Sequence, residues 1–127
     1  MNVCPFCTLP PERILQTSAH GVIISDGFPI SPGHTLVIPR RHVDSFFSLT
    51  SDERVDLLRL LDQAKAGIDK EFKPDTYNIG INDGPAAGQT VPHLHIHLIP
   101  RYTGDVPDPR GGVRWIIPEK ADYWSHR

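Results

Sequence analysis

The sequence has few of the features that mark secreted, membrane-bound or polyanion-binding proteins. Its 127 residues include only two cysteines, and no apolar run approaches the roughly 18 residues of a membrane span. The segment Met1–Pro5 lacks the charged start and apolar stretch of a signal peptide. The formal net charge is −2, which does not favour a protein that coats nucleic acid. We therefore expect a cytoplasmic protein that binds neither a membrane nor nucleic acid.

Proline and histidine are the residue types that stand out. There are 13 prolines, about twice the usual share, and 7 histidines. The length suits a single domain with its own core, which we take as residues 1–127. Proline and glycine separate five short, mostly β-branched runs: Gly21–Asp26, Thr35–Ile38, Tyr77–Asn82, His93–Ile99 and Val113–Ile117. These runs predict one antiparallel sheet.

One long helix is predicted between the second and third of these runs. Thr50 and Glu53 have the spacing of a capping box, in which each side chain bonds the other residue's backbone amide. Apolar residues then recur at helical spacing, at Leu57, Leu61, Ala64, Ile68 and Phe72. Pro74 ends the pattern, and the apolar stripe is predicted to pack on the sheet. A short helix within Cys4–Leu15 is only weakly indicated.

Histidine alternates with aliphatic residues in the segment His93–Ile99. Because side chains of a strand alternate between its two faces, three histidines should share one face: His93, His95 and His97. A lone histidine is usually a surface residue, but three opposite an unbroken aliphatic face favour a functional site. Two chemistries remain open at this point. One is a metal cage, and the other is an imidazole that attacks phosphorus and carries a covalent intermediate.

The residues that precede the histidines favour chemistry at phosphorus. Gly88 permits a close backbone approach, and Gln89 and Thr90 supply amide and hydroxyl donors. A phosphoryl group undergoing displacement needs such donors around its non-bridging oxygens. A metal cage would instead need carboxylates or further imidazoles. The nucleophilic histidine is therefore the favoured hypothesis.

Two segments of the chain resemble the signature of the histidine triad nucleotide-binding superfamily. Gly88–Arg101 contains the His-x-His-x-His run, and Pro32–His42 resembles the upstream strand and loop of that family. The resemblance covers about residues 3–104 and leaves 105–127 as a C-terminal tail. It implies an α+β, HIT-like fold, in which one long and one short helix pack on an antiparallel five-stranded sheet. It also implies a homodimer.

The resemblance assigns roles to individual residues. His95 matches the nucleophile that attacks the α-phosphate and becomes nucleotidylated, and His97 matches a contact to a phosphate oxygen near the leaving group. Gln89 is grouped with these two as catalytic. The remaining nucleotide contacts are Thr90 and Asn82 at the phosphates, Asp26 at the ribose, and Phe6 and Leu9 at the nucleobase. Ordinary packing is an equal alternative for Phe6 and Leu9. His34 matches a histidine that supports the triad, or is a buried structural residue.

The two cysteines form a Cys-Pro-Phe-Cys motif, Cys4 to Cys7. This spacing is also found in thioredoxin-like redox proteins, but no strand precedes the motif and no tryptophan flanks it. In the branch of the superfamily that shares the N-terminal pair, His42 and His93 complete a Cys2His2 zinc site. A zinc ion with four protein ligands would be structural, and it would tie the N-terminal segment to the triad.

The expected reaction is transfer of a purine nucleotide to His95, followed by release to water or another acceptor. The Gly88–Val91 run and the Pro100-Arg101 pair resemble dinucleoside polyphosphate hydrolases, whereas Asp26 resembles purine nucleoside phosphoramidases. A non-catalytic nucleotide-binding regulator is a further alternative, against which the intact nucleophile argues. In the tail, Arg110 and Arg114 are either contacts to the remote phosphates of a long substrate or plain surface charges.

Overall fold

The computed structural model describes residues 3–125, in which strands and helices form a mixed α+β structure. The strands are β1 (Ile14–Thr17), β2 (Gly21–Ser25), β3 (Thr35–Pro39), β4 (Thr76–Gly80) and β5 (Ile96–Arg101). The helices are α1 (Ser51–Glu71) and the short α2 (Pro118–Ala121), and 3₁₀ turns form at Pro11–Arg13, Phe46–Ser48, Pro85–Ala87 and Gly112–Ile116. All strand pairs are antiparallel, in the order β1-β2-β3-β5-β4. The predicted fold class is confirmed.

The membership of the sheet differs from the prediction in one strand. The strand predicted at Val113–Ile117 is wrong, because Gly112–Ile116 forms a 3₁₀ turn that is entered through Gly111 at a φ of 96°. Its apolar side chains lie on the surface, with Ile116 80% exposed. The fifth strand is β1, which pairs with β2 through a bulge after Ile14. The histidine strand is also shorter than predicted, because β5 begins at Ile96.

The long helix α1 begins and ends close to the predicted positions. The Thr50 hydroxyl accepts a hydrogen bond from the Glu53 amide at 3.1 Å, and the Glu53 carboxylate accepts one from the Thr50 amide at 2.8 Å. The predicted capping box is therefore confirmed. The apolar residues buried on the helix are Leu57, Leu60, Ala64 and Ile68. Within residues 3–125, no helix has the length and apolar character needed to cross a membrane.

The sheet carries a separate core cluster on each face. On the face covered by α1, Leu94, Ile96 and Leu98 pack with the buried helix residues. The opposite face, which we call the site face, has a second cluster made of Val22, Ile24, Leu36 and Ile38. In β5 burial alternates along the strand, so His97 points to the site face while Ile96 and Leu98 point to the helix. The predicted division between an aliphatic and a histidine face is confirmed.

Candidate active site

The predicted nucleophile, His95, is held by the backbone just before β5. Its Nδ1 atom lies 2.8 Å from the carbonyl oxygen of His93. A carbonyl can only accept, so Nδ1 carries a proton, and in the neutral ring Nε2 has a free lone pair. The ring is 8% exposed and lies 5.1 Å, centroid to centroid, from the ring of His97. The arrangement presents an unprotonated ring nitrogen, which is the form that nucleophilic attack requires.

His34 and Asp26 lie behind His97 on the site face. The Nδ1 atom of His34 is 3.2 Å from the amide of Ile30, from which it can only accept, so the proton of His34 is on Nε2. That Nε2 lies 3.0 Å from Nδ1 of His97 and 3.3 Å from Oδ2 of Asp26. When the Nε2–H of His34 donates to Nδ1 of His97, that Nδ1 must be unprotonated, and the single proton of the neutral His97 ring is on its Nε2. His97 then offers an N–H donor to a ligand.

Burial keeps this pair of histidines neutral. The pKa of His34 is lowered by burial, against which the Asp26 carboxylate acts in the opposite direction. The pKa of His97 is also lowered, first by burial and then by repulsion from His95 and His34, while Asp26 again opposes the shift. Near pH 7 both rings are therefore single-proton donors, in agreement with the hydrogen-bond directions.

The ring of Phe6 reaches the triad from the N-terminal segment. It stands edge-on to His95 at a centroid distance of 5.2 Å and to His93 at 5.8 Å. Phe6 and Leu9 are both half-buried and pack against the cluster on the site face. The packing alternative raised for these residues is thus present in the structure.

Asp26 is turned inward. Its Oδ2 atom faces His34 and His97, and its Oδ1 atom accepts a hydrogen bond from the Phe28 amide at 2.7 Å.

Gln89 is engaged in holding its own loop together. Its Oε1 accepts from the Gly84 amide at 2.8 Å, and its Nε2 donates to the carbonyl oxygens of Asp44 and Val91 at 2.9 and 3.1 Å. The amide is therefore directed at backbone groups and fixes the shape of the segment before the triad. Thr90 and Asn82 are exposed, which leaves their side chains accessible to a ligand.

The two tail arginines make contacts within the tail. The guanidinium group of Arg110 bonds Asp108 at 2.9 Å, and that of Arg114 donates to the carbonyl oxygens of Ala121 and Lys120. Arg110 also stacks on Trp124 at 4.9 Å from its ring centroid. These contacts hold both guanidinium groups against the tail itself.

The four predicted zinc ligands converge in one cluster beside the triad. One ligand atom each from Cys4, Cys7, His42 and His93 all lie within 4.8 Å of one another. The Sγ atom of Cys4 is 3.4 Å from Nδ1 of His93, and that of Cys7 is 3.2 Å from Nδ1 of His42. The two Nδ1 atoms are 3.2 Å apart.

These spacings match those of a tetrahedral zinc site. Bond lengths of about 2.3 Å for Zn–S and 2.05 Å for Zn–N place sulfur and nitrogen roughly 3.5 Å apart, and two nitrogens roughly 3.3 Å apart. The Nε2 atom of His93 lies 2.9 Å from the Pro39 carbonyl and donates to it, which leaves Nδ1 free to bind a metal. The donor set and its geometry therefore fit zinc.

One feature of the site could not be read from sequence spacing. Asp26, predicted to contact the ribose, also lies against His34 and His97 and forms a second compact group of titratable side chains with them. The position of His34 one residue before β3 and of Asp26 one residue after β2 was visible in the sequence. Their convergence on His97 depends on the pairing of Leu36 with His97 across β3 and β5.

Comparison with known proteins identifies a family and several relatives that this chain resembles. The model of the HIT domain family matches residues 9–104. Bis(5'-adenosyl)-triphosphatase from Saccharomyces cerevisiae is 37% identical over 119 residues, which are 92% of this chain and 54% of that protein. The asymmetrical bis(5'-nucleosyl)-tetraphosphatase from Schizosaccharomyces pombe is 49% identical over 77 residues, covering 61% of this chain and 42% of that protein.

A solved structure with bound metal is also similar. The zinc-bound histidine triad family protein from Mycobacterium smegmatis has a TM-score of 0.66 and 31% identity, covering 75% of this chain and 73% of that chain. The chain spans about half the length of the curated relatives that it matches. The family match includes the sheet, α1 and the three histidines, and it extends over more than half of the sequence. The chain therefore belongs to the HIT domain family.

Proposed function

We propose that the protein cleaves dinucleoside polyphosphates by attack of His95 on an α-phosphate. The observation that carries the proposal is the 2.8 Å contact of His95 Nδ1 with the His93 carbonyl, which selects the tautomer whose Nε2 has a free lone pair. The names of the two relatives, a bis-adenosyl triphosphatase and a bis-nucleosyl tetraphosphatase, support the substrate class. The product would be a nucleotide together with the rest of the polyphosphate chain.

The reaction requires two displacements at phosphorus. In the first, the Nε2 lone pair of His95 forms a P–N bond as the bond between the α-phosphorus and the bridging oxygen breaks. The leaving oxygen gains negative charge, and the Nε2–H of His97 is the donor that would stabilise or protonate it. In the second, water attacks the nucleotidyl-histidine, the P–N bond breaks and Nε2 of His95 is restored.

The remaining contacts to the nucleotide are part of the proposal. Thr90 and Asn82 would donate to non-bridging oxygens, and Gln89 would act by fixing the loop that carries Thr90. Phe6 and Leu9 would line the nucleobase site beside His95. Asp26 would accept from the ribose through Oδ1, which has a second lone pair beyond the one used by the Phe28 amide.

The test compares two substrates and two proteins, one of which lacks the nucleophile. The wild type and His95→Ala are assayed with diadenosine tetraphosphate and with adenosine 5'-phosphoramidate. Loss of activity of about 10⁴-fold or more is expected for His95→Ala on the dinucleotide, because the nucleophile is absent. Full activity of this variant would exclude the mechanism. A wild type that prefers the phosphoramidate would favour the alternative activity, purine nucleoside phosphoramidase.

We also propose that the Cys4, Cys7, His42 and His93 cluster binds a structural zinc ion. Four protein ligands leave no open coordination position, so the ion would stabilise the fold and would not activate water. The sequence motif, the ligand spacings and the free Nδ1 of His93 support this assignment. The zinc-bound relative shows that a member of the family can hold the metal. In this chain the ion would connect the N-terminal turn to the segment that carries His95.

A homodimer formed through β4 completes the proposal. β4 is an end strand of the sheet, paired on one side only with β5, and Ile79 on it is 52% exposed. An open strand edge favours pairing with a second copy. Light scattering of the purified protein should give twice the mass of the chain. Ile79→Lys should shift it to the monomer mass, whereas Ile116→Lys, which changes an exposed apolar residue outside the sheet, should not.

A further inference from the structure

A cavity of about 640 Å³ lies against β4 and β5. Its walls include Asn78 and Gly80 of β4 and Ile99 and Arg101 of β5. Because β5 alternates faces, Ile99 and Arg101 point to the same side of the sheet as His97. Gly80 pairs with His97 across the two strands and lines the cavity, so the cavity begins where the triad ends.

The opposite wall is built by the C-terminal tail. Val113 and Trp115 of the 3₁₀ turn line the cavity, and they are 64% and 48% exposed. The indole N–H of Trp115 donates to the Arg110 carbonyl at 2.8 Å, which fixes the orientation of the ring. Ile30, from the loop before β3, adds a further exposed apolar side chain at 74%. The apolar run that the sequence suggested as a strand thus serves as one side of a cleft.

The polar groups of this cavity are already paired with one another. Arg101 bonds both carboxylate oxygens of Asp105, at 2.7 and 2.8 Å, and the amide oxygen of Asn78 at 2.6 Å. The hydroxyl of Tyr102 donates to the Pro32 carbonyl at 2.7 Å. Because Asp105 neutralises the Arg101 guanidinium, the cavity favours an uncharged group over a phosphate. Its volume is within the range of roughly 300–1,000 Å³ that small-molecule sites occupy.

We propose that this cavity binds the second nucleoside of the substrate, the one that departs with the leaving group; the proposal rests on the proposed function. The first nucleobase would lie at Phe6 and Leu9, on the β1–β2 side of His95, and the cavity lies on the β4 side of His97. A dinucleoside polyphosphate lying across the sheet would place its reacting phosphate over the two histidines. Trp115 would stack on the second base, a contact that tolerates any base.

Gly80 lies between His97, with which it pairs across the strands, and the cavity, which it lines. A Cβ atom at this position would meet no atom within 4 Å among the described residues. A larger side chain at position 80 would therefore extend over the site face without a clash and narrow the passage between His97 and the cavity. Gly67 on α1 likewise has open space around it, which makes it a matched control for a glycine replacement far from the cavity.

The experiment measures a ratio of specificities. For each protein, kcat/KM is determined with diadenosine tetraphosphate and with adenosine 5'-phosphoramidate, whose leaving group has no second nucleoside. In Trp115→Ala the ratio of the first value to the second should fall roughly five- to a hundredfold, the range expected for one lost base-stacking contact. Gly80→Leu should also lower the ratio of the two kcat/KM values. Trp115→Phe should restore most of it, and Gly67→Leu should leave it at the wild-type value.

A binding measurement keeps the proposal testable if a variant has lost catalysis. The probe is a diadenosine tetraphosphate analogue with methylene bridges, which binds but is not cleaved. Its Kd should rise in Trp115→Ala by the same factor as the ratio falls, while the Kd of AMP stays unchanged.

Equal effects on both substrates, or an unchanged ratio in Trp115→Ala, would overturn the second-nucleoside site and leave the proposed function intact. A wild type that cleaves no dinucleotide would instead overturn the proposed function itself. A second copy of the chain is the competing occupant. If Trp115→Ala became a monomer with an unchanged ratio, the cavity would belong to that copy.

Discussion

The Nε2 atom of His34 lies 3.0 Å from the Nδ1 atom of His97, between the start of β3 and β5. Because the Ile30 amide occupies Nδ1 of His34, the hydrogen bond between the two rings has a single direction, from His34 to His97. This direction determines which nitrogen of His97 is protonated and can donate a hydrogen bond to a ligand. A residue from the loop before β3 thus sets the chemistry available at the end of the triad.

We expect His34→Asn to lower kcat about tenfold or more on the dinucleotide substrate. The asparagine oxygen can still accept from the Ile30 amide, but the shorter side chain does not reach His97. His34→Gln should recover part of the loss, because its amide can donate to His97 Nδ1. The measurement is kcat as a function of pH for the three proteins. A purely structural role would change the melting temperature without changing the pH profile.

The stability of the protein should fall as the pH is lowered through about 6.5. Burial lowers the pKa of His34 in the folded state below its ordinary value of 6.5, so the unfolded chain takes up a proton that the folded chain does not. Asp26 and His97 are the titratable groups that face this ring, and Asp26 acts against the shift. Urea unfolding of the wild type and His34→Gln at pH 7.5 and 5.5 tests this.

In that comparison His34→Gln should lose less stability between the two pH values than the wild type. The variant should not be independent of pH, because His97 keeps a pKa lowered by burial. Identical losses in the two proteins would show that His34 does not contribute to the dependence.

Zinc removal should destabilise the protein and loosen the N-terminal segment. Elemental analysis should find one zinc ion per chain in the wild type and in His20→Ala, which changes a histidine outside the cluster. His42→Ala removes one ligand and should lower both the zinc content and the melting temperature, the latter by about 10 °C or more. Absence of zinc from the wild type purified without chelators would contradict the assignment.

The capping carboxylate of α1 should make a pH-dependent contribution to stability. The Arg41 guanidinium, together with the Thr50 amide, lowers the pKa of Glu53 from 4.5 to about 2. Glu53→Gln should lower the free energy of unfolding by about 1–3 kcal/mol at pH 7. Because the folded pKa is depressed, this difference is present above about pH 4.5 and shrinks as the pH falls towards 2. Chemical denaturation of both proteins at pH 7 and 3.5 measures it.

Local signals in the sequence were sufficient for α1 and for the division of β5 into two faces. The Thr50–Glu53 pair specifies a helix start through two hydrogen bonds between neighbours in the sequence. The alternation of histidine with aliphatic residues depends only on the period of a strand. The strand predicted at Val113–Ile117 was wrong because a β-branched run forms a strand only where a neighbouring strand can pair with it. Here the chain turns at Gly111 and Gly112 instead.

The site was predicted residue by residue but not as a geometry. The family resemblance named His95, but only the structure identifies the His93 carbonyl as the group that fixes its proton. The contact of His34 with His97 arises from the register between β3 and β5, which sequence spacing does not determine. The cavity beside Gly80 depends on how the tail folds back over β4, and that path is set by tertiary contacts of the tail.

His93 serves two purposes through two different parts of the residue. Its ring lies in the cysteine-histidine cluster, and its backbone carbonyl holds the proton on Nδ1 of His95. Every amino acid has a carbonyl, so a substitution at position 93 that preserved the backbone path would keep the acceptor. The proposed metal ligands could therefore be replaced in the course of evolution without altering the protonation of the proposed nucleophile, and metal dependence and catalytic chemistry could be inherited separately.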